Sequence, residues 1–320
     1  MSKRRRWIFY WMLLLASGLL IGFYAWRGSY GIHAILRGGF IWRSISDDDP
    51  RISQSMRMAL RDPAPVAVPG KIEWQSVGDG FEVAELPVFA DGAMVDKILL
   101  ARIDPALYRF HVQNVPAGNR ELGDWMKASG ALLVINGSYF SRYGTPDTPV
   151  LSQGRLLGPR EYDGHHGAFI ASADSASVVD LTQQDWHKAF VGAKDAMVSY
   201  PLLIGADGTS RAKGDRRWLA NRSFVGQDEA GRIVLGTTED AFFSLDRFAA
   251  FLQHAPLGLK LALNLDGGPV ACQGINIGNF RRDFCGKWEI AVHNGQLKLL
   301  APLVGQRRSG MPIVLMVTRK

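Results

Sequence analysis

Trp7 to Trp26 is a run of twenty residues without a formal charge, and it lies directly behind Lys3-Arg4-Arg5-Arg6. As a helix such a run spans a hydrocarbon core of roughly 30 Å. Only Arg27 follows closely, so the charge asymmetry places residues 1–6 in the cytoplasm and the bulk of the chain outside, in a periplasmic or extracellular space. Trp7, Tyr10 and Trp11 at one end and Tyr24 and Trp26 at the other suit the two interfacial belts. The expectation is a single-pass signal-anchor over 7–26. A cleaved signal peptide is the alternative, although its apolar region is usually about 7–15 residues and no clean small-x-small site stands near Ala25.

The same end carries the whole net charge of +7. Residues 1–43 hold seven basic groups and no acid, which leaves 30 basic and 30 acidic residues in the rest of the chain. A neutral body offers no basic surface for a phosphate backbone, so nucleic acid is excluded as the expected partner. With 47% hydrophobic residues, the body is long enough for one sizeable core. The only cysteines, Cys272 and Cys285, fit a disulfide in an oxidising compartment, and a loop of that length would stabilise by roughly 3 kcal/mol. Two unpaired buried thiols are the alternative.

Residues 27–75 read as a juxtamembrane spacer: scattered glycines, Asp47-Asp48-Asp49 before Pro50, then Pro63, Pro65 and Pro69, with one short helix near Ser53–Leu60. From residue 76 to 320 the pattern is that of one domain. Strand-length apolar runs occur at 81–89, 97–103, 108–113, 131–135, 167–171, 177–181, 197–204, 223–227, 232–237, 261–265, 288–293, 297–300 and 312–318. Asp228-Glu229-Ala230-Gly231 and Asn294-Gly295 mark hairpins. Helices fit 120–128, with Asn119 as N-cap and Gly130 beyond the end, and 245–254, with Ser244 as N-cap. Strands outnumber helices without regular alternation, so the expected class is α+β, a single mixed, strand-rich domain.

The common catalytic signatures are missing: there is no P-loop, GxGxxG, HExxH or GxSxG. Ser210-x-x-Lys213 matches a penicillin-binding motif whose companions are lacking, and it reads as coincidence. No spacing of His, Cys, Asp or Glu suggests a metal site, Asp147, Asp163 and Asp207 reading as turn residues, and no cofactor is implied. Two places do share a design. A short buried strand delivers a polar residue into glycine at Val134-Ile135-Asn136-Gly137 and again at Asn264-Leu265-Asp266-Gly267-Gly268. A strand end fixes a side chain, and glycine lets backbone approach a ligand. Tight turns are the plain alternative for either one alone.

Those residues carry a resemblance. Val134-Ile135-Asn136-Gly137-Ser138-Tyr139-Phe140 is similar to the hydrophobic-N-G-G-[FY]-F motif of the phosphodiester glycosidase family. Tyr200-Pro201-Leu202-Leu203-Ile204 through Gly208, Asn221-Arg222-Ser223-Phe224-Val225-Gly226 and Ala262-Leu263-Asn264-Leu265-Asp266-Gly267-Gly268 resemble three further family stretches, in the family order. The chain departs from the pattern at Ser138, where glycine is usual, and at Pro269-Val270-Ala271, where G-S-[ST] is usual. These departures bear on the substrate.

The resemblance implies a hydrolase that cuts a sugar-1-phosphodiester at the glycosidic carbon and releases free sugar and a phosphomonoester. Such chemistry needs a cation for phosphate, a carboxylate for the anomeric carbon or its water, and hydrogen bonds to sugar hydroxyls. Arg222 is the candidate cation, Asp266 the candidate general base or nucleophile, and Asn136 the candidate sugar ligand. The amides of Gly137, Gly267 and Gly268 are expected to meet phosphate or ring oxygens. His165 and His166 can bind or protonate the phosphate, but adjacent residues point oppositely, so one at most should serve. The expected substrate is an envelope or exopolysaccharide-type sugar phosphate. The alternative is a catalytically inactive glycan-binding or polysaccharide export protein on the same fold.

Overall fold

The computed structural model describes residues 3–28, 40–116, 118, 120–141, 143–214, 216–302 and 309–320, and no side chain in 1–5, 24–40 or 302–308. Asn119, residues 29–39 and the side chains of Tyr24 and Trp26 therefore lie outside the described residues. Lys3–Gly28 is one continuous helix, and its stretch Arg6–Phe23 is long and apolar enough to cross a membrane. Trp7, Tyr10 and Trp11 are exposed on it.

The body is α+β and strand-rich, built around an eight-stranded antiparallel sheet. Its path runs Leu202–Ile204, Leu259–Asn264, Ser223–Asp228, Ile233–Thr238, Ala93–Ile103, Phe81–Ala90, Val68–Pro69, with Gln75–Gly78 also pairing with Phe81–Ala90. Alternation decides which side chain faces where. Phe81, Val83, Leu99, Ala101, Val225 and Leu263 point to one face. Leu86, Val88, Ile98, Leu100, Phe224 and Ala262 point to the other.

The first face packs on two five-stranded sheets. One orders Phe280–Cys285, Cys272–Ile277, Leu133–Asn136, Ile313–Arg319 and Tyr108–Asn114; the other orders Ala176–Asp180, Gly167–Ala171, Asp195–Ser199, Val150–Ser152 and Arg155–Leu157. The second face is covered by the helix Leu245–His254, which buries Phe248, Phe251 and Leu252, and by a four-stranded sheet of Phe40–Ser44, Gln296–Pro302, Glu289–His293 and Trp218–Ala220. Burying a large apolar side chain stabilises by about 1.5–3 kcal/mol, and Phe224, Phe242, Phe243 and Phe248 are all fully buried at this junction.

The hairpin signals form as expected: Asn294 and Gly295 both take positive φ, 50° and 72°. Cys272 and Cys285 are disulfide-bonded and sit opposite each other across a hairpin that the apolar pattern did not reveal. The helix expected over 120–128 forms at Leu122–Ser129 with Glu121 as N-cap, because Glu121 and Asp124 make a reciprocal capping box.

The spacer reading of 27–75 needs correction from residue 40 onward. Phe40–Ser44 pairs in register with Gln296–Pro302. Ile52, Met56, Met58 and Ala59 are buried in the core beneath Val95 and Leu100. The helix Gln54–Ala59 is capped by the Ser53 hydroxyl, which accepts from the Met56 N–H. Prolines and acids dominate this stretch by count, but a few apolar residues at the right positions anchor it.

Candidate active site

The two glycine-ended strands finish side by side. The Asp266 N–H donates to the Gly137 carbonyl at 3.0 Å, and Asn136 Nδ2 donates to the Asp266 carbonyl at 2.8 Å. Ser223–Asp228 lies next to Leu259–Asn264, so Arg222, just before it, comes beside the Asp266 turn; the Leu265 N–H donates to the Ser223 carbonyl. Ala220 pairs with Glu289 across the small sheet, which adds a second carboxylate.

Together these elements enclose a cavity of about 270 Å³ lined by Asp266, Glu289, Arg222, Tyr139, Trp218 and Lys213, with Gly267 and Gly268 on its wall. Arg222 is buried and its guanidinium is oriented from behind: Nε donates to the Phe243 carbonyl at 3.2 Å and Nη2 to the Trp218 carbonyl at 3.1 Å. Burial lowers its pKa, opposed chiefly by Glu289. Trp218 Nε1 donates to Glu289 Oε1 at 2.6 Å. Trp42 packs edge-on against Trp218 at 5.8 Å, so a residue of the supposed spacer buttresses the site.

Both carboxyl groups titrate above their ordinary range. Burial raises Asp266 from 3.8 to about 8, with Glu289 and Asp147 adding to the rise while the Gly267 N–H and Arg222 oppose it. Burial also raises Glu289, against the Trp218 N–H and Arg222. Burial thus favours the neutral form of Asp266, whereas a general base or nucleophile acts as the ionised carboxylate. Two acids in one pocket with different surroundings are the usual arrangement for separate proton-donating and proton-accepting roles.

Glycine is required where the turn meets Glu289. Gly268 has φ +65°, and a Cβ there would collide with Glu289 Oε2. The expected anion-binding amides are otherwise engaged, which corrects that reading. The Gly137 N–H donates to the Ile313 carbonyl, the Gly267 N–H to Asp266 Oδ1 and the Gly268 N–H to the Asn221 carbonyl. Asn136 is likewise withdrawn: it is buried, and its Oδ1 accepts from the Cys272 N–H at 3.0 Å. It clamps the Asp266 turn to the disulfide hairpin instead of facing a sugar.

His165 and His166 separate as alternation requires. His165 is exposed, with Nδ1 donating to the Leu181 carbonyl at 3.2 Å. The His166 ring lies 4.8 Å from that of Tyr200, which stacks on Tyr139 at 4.4 Å, so His166 connects to the pocket only through these two rings, and neither histidine lines it. Ser138 is buried, with Thr148 Oγ1 donating to it, and does not line the cavity. Asp207 is a turn residue, accepting from the Thr209 N–H. Lys213 lines the cavity, whereas the Ser210 hydroxyl accepts from the Ala212 N–H within its own turn. Among the described residues no group of three or more His, Cys, Asp and Glu side chains is placed to hold a metal ion.

Tyr139, Trp218 and Glu289 were not singled out from the sequence. Glu289 had a signal, being the lone acid in the apolar run Trp288-Glu289-Ile290-Ala291-Val292. Its partner strand Trp218–Ala220 is three residues long and too short to read.

The family model of phosphodiester glycosidases matches residues 129–295, just over half of the chain and a span that contains all four motif stretches; the chain belongs to this family. Solved structures that align with this chain include the zebrafish N-acetylglucosamine-1-phosphodiester alpha-N-acetylglucosaminidase catalytic domain auto-inhibited by its pro-peptide, at 16% identity and TM-score 0.48, covering 88% of this chain and 89% of that one. A hypothetical protein from Synechocystis aligns at 15% identity and TM-score 0.47, over 78% of this chain and 64% of that one. A putative exported protein from Burkholderia pseudomallei aligns at 12% identity and TM-score 0.41, over 72% and 77%. No curated protein sequence matches.

Proposed function

We propose that the protein hydrolyses a sugar-1-phosphodiester at its glycosidic carbon, acting on an envelope or exopolysaccharide-type substrate from a body tethered outside the membrane by the Lys3–Gly28 helix. The observation that carries this is the convergence of Asp266, Glu289 and Arg222 in one small pocket. Family membership supports the reaction class. The exposed apolar helix behind a basic N-terminus supports the tether.

In this mechanism the phosphate rests against Arg222 and Lys213, where a planar guanidinium can meet two oxygens. Asp266, protonated at neutral pH, does not repel the diester anion and donates a hydrogen bond to the bridging oxygen. The bond from the anomeric carbon to that oxygen breaks, and its electron pair leaves with the phosphate. Glu289 takes a proton from the water that adds to the carbon, or stabilises positive charge there. Asp266 supplies the proton of the departing phosphomonoester and is reprotonated from solvent, to which Glu289 gives up the proton it took from water. Tyr139 and Trp218 shield the reacting carbon from bulk water.

The test is sugar release by the full-length protein in detergent from N-acetylglucosamine-1-phospho-alkyl and related sugar diesters. Release by the wild type that falls about 10²–10⁴-fold in Asp266→Asn, Glu289→Gln and Arg222→Ala is the expected result. The second reading, a catalytically silent glycan-binding protein, is favoured by one observation: the three glycine amides that could cradle an anion are all engaged internally. Binding of the diesters without turnover, unchanged in Asp266→Asn, would establish it.

A further inference from the structure

A second cavity, about 590 Å³, takes no part in the mechanism above. It is lined by Glu161, Tyr162, Asp163, His165, Gln184 and Asp185. Three ring contacts connect it to the Asp266 pocket. Tyr139, on the pocket wall, stacks on Tyr200 at 4.4 Å; Tyr200 meets His166 at 4.8 Å; His166 meets Tyr162 at 5.9 Å. The run is held rigidly. Asn264 Nδ2 donates to both the Tyr139 hydroxyl and the Tyr200 carbonyl, and Trp186 Nε1 donates to the Tyr162 carbonyl from beneath.

The two cavities differ in their cations. The Asp266 pocket sets the cations Arg222 and Lys213 beside its two carboxyl groups, whereas the described lining of the second cavity contains no lysine or arginine and three exposed acids, Glu161, Asp163 and Asp185. Another phosphate would be repelled there. Carboxylates and the Gln184 amide are instead suited to hydroxyl groups, and the aromatic edge of Tyr162 offers apolar contact beside them. Hydroxyls with a C–H face between them are the description of a neutral sugar ring.

We infer that this cleft binds neutral sugar residues attached to the sugar whose phosphodiester is cut, so that the substrate is an oligosaccharide or polysaccharide 1-phosphodiester rather than a single sugar diester. The inference rests on the function proposed above and fixes an orientation. Phosphate and its aglycone lie toward Arg222 and Lys213, and the glycan chain runs over Tyr139 toward Tyr162. His166, whose pKa burial lowers, remains neutral along this path and adds no charge that would attract phosphate.

The experiment compares kcat/KM for a monosaccharide and a tetrasaccharide 1-phospho-alkyl diester on the full-length protein, across gluco, galacto, manno and N-acetylglucosamine series. The wild type is expected to prefer one tetrasaccharide by about tenfold or more. Tyr162→Ala and the exposed Asp163→Asn should erase that preference while leaving the monosaccharide rate unchanged. Equal rates on both lengths in every series, or a preference that survives both variants, would overturn the cleft and leave the hydrolase intact. If no diester is cleaved, calorimetry with the four free tetrasaccharides decides separately. Binding lost in Tyr162→Ala upholds the cleft without the hydrolase, and no binding by any of the four overturns it.

Discussion

Asn136 and Asp266 close two strands of the same local design, yet one side chain turns into the scaffold and the other into the pocket. Asn136 Nδ2 and Oδ1 both bond backbone, at Asp266 and Cys272. The Asp266 carboxyl accepts from the adjacent Gly267 N–H at 2.8 Å and lines the cavity together with Arg222, Glu289 and Tyr139. An amide can satisfy a donor and an acceptor at once, which suits a clamp between two loops. A carboxyl held protonated by burial also carries one donor and an acceptor, but unlike the amide it can release its proton. The difference separates what the turn needs in order to exist from what the chemistry needs in order to proceed.

The largest effect should come from breaking the second member. Asp266→Asn keeps the shape and removes the proton, so kcat is expected to fall about 10³-fold with the melting temperature held or raised, because a desolvated acid is removed. Steady-state kinetics beside a thermal melt checks both, and a folded variant with full activity would remove Asp266 from the mechanism. Asn136→Ala should do the opposite. It leaves the buried Cys272 N–H unpaired and frees the Asp266 carbonyl, at a cost of about 1–3 kcal/mol in stability, with activity following through a loosened turn. Denaturant titration reads this, and a stability loss near zero would mean that Asn136 is no clamp.

The pH dependence sharpens the contrast further. Asp266 ionises at about 8 when folded and near 3.8 when unfolded, so the folded state holds a proton that the unfolded state has lost between those values. Its contribution is fully present below about pH 4 and is lost as pH rises through 8. Relative to Asp266→Asn, the wild type should therefore lose stability between pH 5 and pH 8. Parallel curves for the two proteins would contradict the raised pKa. The smallest effect is expected at Ser138, which is buried away from the cavity. Ser138→Gly should leave activity within about twofold and lower stability by no more than ~1 kcal/mol.

What the sequence disclosed about the site is the part that lies in short contiguous motifs. The strand ends at Asn136 and Asp266 and the arginine at 222 are each visible as a few residues, and their family order made their convergence an expectation. Their individual fates were not visible, because the partner that claims Asn136 is the amide of residue 272, 136 positions away. Glu289 was missed for a related reason. It enters the pocket through the pairing of Glu289–His293 with a three-residue strand at Trp218–Ala220, and so short a strand has no readable period. The same holds for Phe40–Ser44, whose composition resembles a linker and whose strand character comes from pairing with Gln296–Pro302. The long strands Phe81–Ala90 and Ala93–Ile103 were legible as apolar runs because both faces of the central sheet are packed, Phe81, Val83, Leu99 and Ala101 on one and Leu86, Val88, Ile98 and Leu100 on the other.

The central claim is that the Asp266, Glu289 and Arg222 pocket breaks the bond at carbon and not at phosphorus. Hydrolysis of a sugar-1-phospho-alkyl diester by the full-length protein in ¹⁸O-labelled water reads this directly. The expected result is a phosphomonoester without label and a free sugar that carries it, with both products lost in Asp266→Asn. Label in the phosphomonoester would contradict the account.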